Sequence, residues 1–532
     1  MLNQLRDRTF EKLNGWKFLI ILLLTIGVFL RFAHLDEKVY SADEVRKILW
    51  LSGYSKQDFI EEVFTGDIVT AGELRKYQHP NSERTFADSM KVLKSNTEHV
   101  PLHHIVTRFG MQLLGGHPSA RIVSICVSFL SFPCLYWLCI ELFGSPLTGW
   151  IAIALTAISP FHILVSQNVS AYTLWTVTTL LSSAALLRAL RVKHKSSSLI
   201  YFLALALGFY SHLFSFIVAF GQGIYVFVIE GFKLSKTFIY FLFASVLALL
   251  SFSPWIINFV NNLSRVDEGT SYYKQFKVSF IQLIIALYYN INKVFIDFFH
   301  RQGKLENLLH FFLFLLIIYS LYFLVRYTAK NVWLFVTMLI VLVPIAHIIA
   351  NFITPSALHI QSRYYLPCFL GIQLAVAYLL ASKIGSKSLQ LWQRSLWSII
   401  LLIIFTMGIT SGTIIMQTRT AGLDDQKGTA SGQNLEIAPL INQAEKPLVI
   451  SDTTHSFVLA LSYLLKPEVC LQLFPKNDIQ QWQQRLNLSE DTQDFSDVFL
   501  YFPNDDFLNF IKQDKNFYLE SVQGKIYKIV KN

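Results

Sequence analysis

The sequence predicts a polytopic α-helical membrane protein of about eleven transmembrane helices, carrying a small C-terminal α/β domain on the extracytoplasmic side. Three observations predict it. First, 53% of the 532 residues are hydrophobic and 15% aromatic, with 45 Phe and 23 Tyr, and the mean hydropathy is +0.43. That composition is far more apolar than a soluble average. Second, charged residues make up only 15% of the chain, and most lie in Met1–Lys17, Asp36–His99, Val192–Lys195, Arg265–Glu268 and beyond Arg419. Long apolar runs separate them. Third, after Gln417 the runs stop and short strand-like and helix-like segments alternate.

A membrane-spanning helix needs about 20 apolar residues. The expected spans are 16–35, 119–143, 147–166, 170–190, 198–212, 213–231, 236–258, 306–325, 332–351, 364–382 and 395–416. Arg6, Arg8, Lys12 and Lys17 precede the first run in the manner of a signal peptide. Trp16–Leu35 is too long for a signal core and no A-x-A site follows, so it reads as an uncleaved first span. The stretch 198–231 is divided at "YSH" (Tyr210–His212), where polar residues interrupt it. Basic residues favour cytoplasmic loops. With a cytoplasmic N-terminus, Arg191, Lys193 and Lys195, then Lys233 and Lys236, Arg326 and Lys330, and Lys383, Lys387 and Arg394 all fall inside. The short outer turns near Gln167, Ser211 and Thr354 carry almost no Lys or Arg; Arg363 is the exception and needs another reason to be there. The expected location is the plasma (inner) membrane, multi-pass.

The first 416 residues therefore read as a transmembrane domain with two long outer loops, 36–118 and 259–305. Pro101–Leu114 is apolar on one face but too short to cross, as an interfacial helix would be; the segment "VSFIQLIIALYYNINKVFIDFF" reads similarly. Residues 417–532 form the soluble α/β domain. "KPLVIS", "EVCLQLF" and "DVFLYF" look like buried strands, Ser456–Leu465 and Asp478–Leu486 look helical, and "FYLESVQGKIYKIV" looks like a closing hairpin around Gln523–Gly524. The net charge of +10 comes from loop residues. No basic stripe with interleaved aromatics is present, which argues against nucleic-acid binding. The five cysteines form no framework and read as small buried hydrophobes.

Polar residues beside the spans collect on one expected side. They are Asp43, Glu44 and Arg46 after the first span; His99, Pro101, His103 and His104 before the second; Ser166, Gln167, Asn168 and Tyr172 between the third and fourth; His212; and Arg363 with Tyr364. Ionisable groups at membrane depth are costly and default to function, so one outward-facing cavity is expected. Within "SADEVR", Ser41 and Glu44 have capping-box spacing, which gives Glu44 a structural reading. Asp43 and Arg46, three apart, share a helix face. A carboxylate able to take a proton, beside a cation able to hold a phosphate, is the minimum needed to move a sugar from a lipid phosphate to a hydroxyl. A capped helix with a local ion pair is the plain alternative.

Five segments, in order, carry a family resemblance. They are "RFAHL" followed by "SADEVR"; "EHVPLHHIVTRFG"; "PSARIVSICVSFLSFPCLYWLCIELFG"; "ALTAISPFHILVSQNVSAYTLW"; and "QSRYYLP". The chain resembles the GT-C membrane glycosyltransferases that use polyprenyl-phosphate sugars, a superfamily that includes protein O-mannosyltransferases and the lipid A aminoarabinose transferases. The resemblance covers about the first 380 residues. It implies Asp43 as catalytic base with Glu44 the second acid of its pair. It implies Arg46, His99, Arg363 and Tyr364 as contacts to the donor phosphate. His103, Gln167, Tyr172 and His212 are further candidate substrate contacts. The implied partners are a polyprenyl-phosphate sugar, the membrane, and a glycan, lipid or protein acceptor.

The sequence also departs from the family. Val100 replaces the first Pro of a Pro-Pro-Leu motif. The segment Ser166-Gln167-Asn168-Val169-Ser170-Ala171-Tyr172 lacks an acid and an arginine of the family pattern. No metal site is assigned and no cofactor is required; a divalent metal is compatible with the chemistry, but no residue pattern selects one. Glu98, His99 and His103 have helical spacing that could suit zinc, with nothing to favour it. Asp267 and Glu268 fall in a loop where related enzymes hold carrier or acceptor. A lipid-linked sugar transporter or flippase is a rival reading, although the two related halves it would need are not visible. A non-catalytic relative is another.

Overall fold

The computed structural model describes residues 18–116, 118–264, 275–298, 303–420, 430–488 and 494–532. Asp267 and Glu268 lie outside them. The chain divides into two compact units. One comprises Met1–Leu35, Asn96–His103 and Arg121–Gln417; the other comprises Asp36–Ser95, His104–Ala120 and Thr418–Asn532.

The first unit is helical throughout. Six of its helices are long and apolar enough to cross a membrane: Ser119–Phe143, Tyr172–Val192, Lys304–Tyr327, Lys330–Ile353, Ser362–Gly385 and Leu391–Gln417. Two bent pairs, Pro146–Ala157 with Pro160–Ser166 (59°) and Lys236–Ser251 with Ser253–Asn261 (52°), raise the count to eight among the described residues. The sequence led us to expect eleven. Phe18–Phe32 is the described part of the first expected span. Lys195–Ser211 and Ser215–Ile229 are helical where spans were expected but have 17 and 15 residues; at 1.5 Å per residue they reach about 22–26 Å, short of a hydrocarbon core of about 30 Å. Ser362–Gly385 is the most enclosed span, with 89% of its apolar window buried, and so lies at the centre of the bundle.

The bend after Ala157 is a local chemical event. Pro160 restarts the helix and cannot donate to it. The carbonyls of Thr156 and Ala157 are taken by Arg31, whose Nη1 lies 2.5 Å from Ala157 O and 2.8 Å from Gly27 O, and whose Nη2 lies 3.3 Å from Thr156 O. Gly27 permits this approach, since a Cβ there would sit 2.4 Å from Ala157 O. Gln167 closes the other side, donating from Nε2 to the carbonyls of Leu30 (3.0 Å) and Arg31 (3.2 Å).

The second unit is built on a six-stranded sheet. Its strands are β1 Ile68–Thr70, β2 Pro447–Ser451, β3 Cys470–Leu473, β4 Asp497–Tyr501, β5 Phe517–Gln523 and β6 Ile526–Lys531, in the order β1-β3-β2-β4-β6-β5. β2 pairs in parallel with β3 and β4, and the remaining pairs are antiparallel. The expected strands and hairpin are all present. The edge strand β1 comes from the segment between the first two expected spans and pairs Ile68 with Gln472 and Thr70 with Cys470. One sheet face presents Leu448, Ile450, Val498 and Leu500 to Trp482, Phe507 and Ile511. On the other side Tyr501 donates its hydroxyl to Asn434 Oδ1 at 2.8 Å.

Candidate functional site

The helix Ala42–Ser52, in the second unit, carries Asp43. Ser41 caps it: the hydroxyl accepts from Glu44 N (3.3 Å), and Glu44 Oε2 accepts from Ser41 N (3.1 Å), completing a capping box. Gly53 ends the helix at φ 95°, and a Cβ there would meet Arg84 Cβ at 2.6 Å. Val45, Ile48, Leu49 and Leu51 are buried, so the face carrying Asp43 is fixed by the packing of the opposite one. Glu44 is itself buried at 2% exposure and spent on the cap. Asp43 is not spent. Its Oδ1 lies 3.3 Å from Arg46 Nη2 and its Oδ2 lies 2.6 Å from Lys47 Nζ, with the carboxylate side chain 39% exposed. Lys47 is the buried partner at 7% and Arg46 the open one at 46%. An exposed ion pair is worth about 0–1 kcal/mol, so Arg46 can leave Asp43 for another anion cheaply while Lys47 keeps the carboxylate aimed. Lys47, four residues from Asp43, was missed in the sequence although its spacing puts it on the same face.

In the first unit, three predicted residues come together. Tyr172 lies 5.5 Å from the His212 ring and 6.2 Å from the Tyr364 ring, with His212 and Tyr364 6.4 Å apart. Arg363 Cζ stands 5.4 Å from the centroid of the Tyr364 ring. The structure adds residues that sequence reasoning passed over. Trp175 stacks on His212 at 4.2 Å and 12°. Phe214 touches Trp175 (6.2 Å), Tyr364 (5.3 Å) and His347 (5.4 Å). His347 Nδ1 lies 3.1 Å from His359 Nδ1. The signal for His347 was available: it is an imidazole inside an apolar run.

The histidine pair has one consistent proton arrangement. His359 Nε2 is 3.2 Å from Thr354 O, and a carbonyl only accepts, so that nitrogen carries hydrogen. Burial holds the His359 imidazole below its usual pKa and hence neutral. Its Nδ1 therefore accepts from His347 Nδ1–H, which leaves a bare lone pair on His347 Nε2.

The remaining candidates have the following surroundings. His99 Nε2 is 3.9 Å from Glu98 Oε1. The loop before it is pinned by Trp255 Nε1, which donates to Thr97 O at 3.1 Å. His103 is buried at 2% exposure. Gln167 is engaged with the end of the first helix, as described above. Among the described residues no three His, Cys, Asp or Glu side chains gather to hold a metal ion. The spacing of Glu98, His99 and His103 thus does not close into a zinc site.

Residues 98–258 match the dolichyl-phosphate-mannose-protein mannosyltransferase family. ArnT from Cupriavidus metallidurans bound to undecaprenyl phosphate superposes with a TM-score of 0.54 at 13% identity, over 97% of this chain and 98% of that one. The chain has the GT-C fold. The apo state of the same ArnT gives a TM-score of 0.55 at 13% identity, with the same coverage. No curated protein matches the chain in sequence. The likeness covers 97% of the chain, so it takes in residues of both units.

Proposed function

We propose that this GT-C chain is a membrane glycosyltransferase that moves a sugar from a polyprenyl phosphate to an acceptor hydroxyl on the extracytoplasmic side. The observation that carries the reading is the fold, matched over 97% of the chain to a protein seen with undecaprenyl phosphate. The setting of Asp43 gives it chemistry. In this reading Asp43 takes the proton of the acceptor hydroxyl as its oxygen attacks the anomeric carbon. The bond from that carbon to the phosphate oxygen breaks, with inversion, and the lipid phosphate leaves as an anion. Arg46, His99, Arg363 and Tyr364 are the proposed contacts that stabilise that anion. Lys47 orients the base. Glu44 acts through the cap rather than on substrate.

The acceptor is a lipid, glycan or protein hydroxyl. Mass spectrometry of surface glycans and glycolipids from a deletion strain identifies it. The expected result is loss of one sugar mass from a surface molecule, with the lipid-linked donor accumulating on the outer leaflet. Accumulation on the inner leaflet would instead mark a flippase and overturn the proposal.

A further inference from the structure

Among the buried polar groups of the first unit that have no hydrogen-bond partner among the described residues, two flank the same ring. Trp175 Nε1–H is a donor on a fully buried indole; His347 Nε2 is an acceptor on an imidazole 4% exposed. The Phe214 ring lies 6.2 Å from the first and 5.4 Å from the second. Buried polar groups are almost always paired, and leaving one unpaired costs about 1–3 kcal/mol. An orphan donor and an orphan acceptor that flank one ring are matched by a ligand whose hydroxyls both accept and donate.

A hydroxyl is such a group. The surrounding rings fit the rest of a sugar. Tyr172, His212, Phe214 and Tyr364 are each only part-buried, and their apolar faces suit the C–H faces of a pyranose or furanose. His212 follows the helix Lys195–Ser211 and covers one side of the indole, so it is the ring that must shift to admit a ligand.

We infer that Trp175 and His347, with the rings between them, form a carbohydrate subsite that holds a hydroxyl of the donor's sugar. This rests on the glycosyltransferase reading and names the part of the protein that reads the sugar rather than the phosphate. Trp175 donates to the hydroxyl oxygen and His347 accepts its hydrogen. His359 and Thr354 hold His347 in the tautomer that can do so.

The test uses the full chain in detergent or nanodiscs. Binding is measured by native mass spectrometry for bare undecaprenyl phosphate and for undecaprenyl phosphate bearing mannose, glucose or 4-amino-4-deoxyarabinose. Trp175→Phe removes the N–H and keeps most of the ring; His347→Asn keeps a donor toward His359 and removes the second ring nitrogen. The wild type is expected to bind at least one glycosylated lipid about tenfold more tightly than the bare lipid, and each variant to lose most of that gain with bare-lipid binding unchanged. A sugar preference that survives both substitutions, or no preference in the wild type for any of the three, overturns the subsite and leaves the function reading standing. Failure of the wild type to bind undecaprenyl phosphate at all overturns the function reading and the subsite with it.

Discussion

Asp43 and its two cations divide their work by exposure. Lys47 is enclosed and close, so it fixes the carboxylate; Arg46 is open and longer-ranged, so it is free to turn to an incoming anion. Arg46→Ala is therefore expected to change stability by less than about 0.5 kcal/mol, while lowering sugar transfer by about 100-fold if the guanidinium steadies the leaving phosphate. Thermal unfolding and a transfer assay on the same preparation separate the two. Ser41→Ala removes the cap that aims this helix and is expected to cost about 1 kcal/mol, read as faster hydrogen exchange over residues 42–46. Much of this was legible in "SADEVR", because capping and i, i+3 pairing are local. Tyr172, His212 and Tyr364 were legible as polar or aromatic groups beside spans, but Trp175 and Phe214 were not, since they sit in separate segments and nothing in local spacing links them to the others.

At the scale of the element, the broken span at Ile158 depends on the first helix. Arg31 donates to the carbonyls of Thr156 and Ala157 at the break, and Gly27 gives it room. Gly27→Ala would place a methyl 2.4 Å from Ala157 O, with backbone rather than a pliable side chain as the obstacle. It is expected to lower stability by about 2 kcal/mol or more, whereas Ala at Gly303, which has open space around it, is expected to be nearly neutral; detergent melting curves of the two compare them directly. Apolar runs revealed almost every helix of this unit, since lipid leaves the backbone no other way to satisfy its hydrogen bonds. Hydropathy does not reveal where a run bends or how short its helix is, because those depend on partners such as Arg31 that lie far away in sequence.

At the scale of the whole molecule, the sheet of the second unit was largely legible from its alternating segments, but β1 was not, since three residues in a polar loop carry no strand signal. The sheet also has a testable acid response. Burial raises the Asp452 carboxyl to about 6, and its oxygens accept from Asn504 N at 2.9 Å and from the Asn504 side-chain amide. A raised carboxyl binds protons more tightly folded than unfolded, so its contribution falls as pH rises from about 4 to about 6. His455 is driven down to about 3 by burial and by the charges of Lys56 and Arg46. The unfolded state then binds the extra proton, so the His455 contribution rises with pH from about 3 to about 6.5. The two slopes oppose each other between pH 4 and 6. Protection factors of β2 and β4 in that window are expected to rise more steeply with pH in Asp452→Asn than in the wild type, and to fall with pH in His455→Gln.

The most direct test of the account is sugar transfer by Asp43→Asn, assayed with a polyprenyl-phosphate sugar and the acceptor that deletion identifies. An amide at this position keeps the shape of the side chain but cannot serve as a base at neutral pH. We expect a folded protein that binds undecaprenyl phosphate as the wild type does and transfers sugar at least 100-fold more slowly. Transfer at the wild-type rate by a folded Asp43→Asn protein would contradict the account.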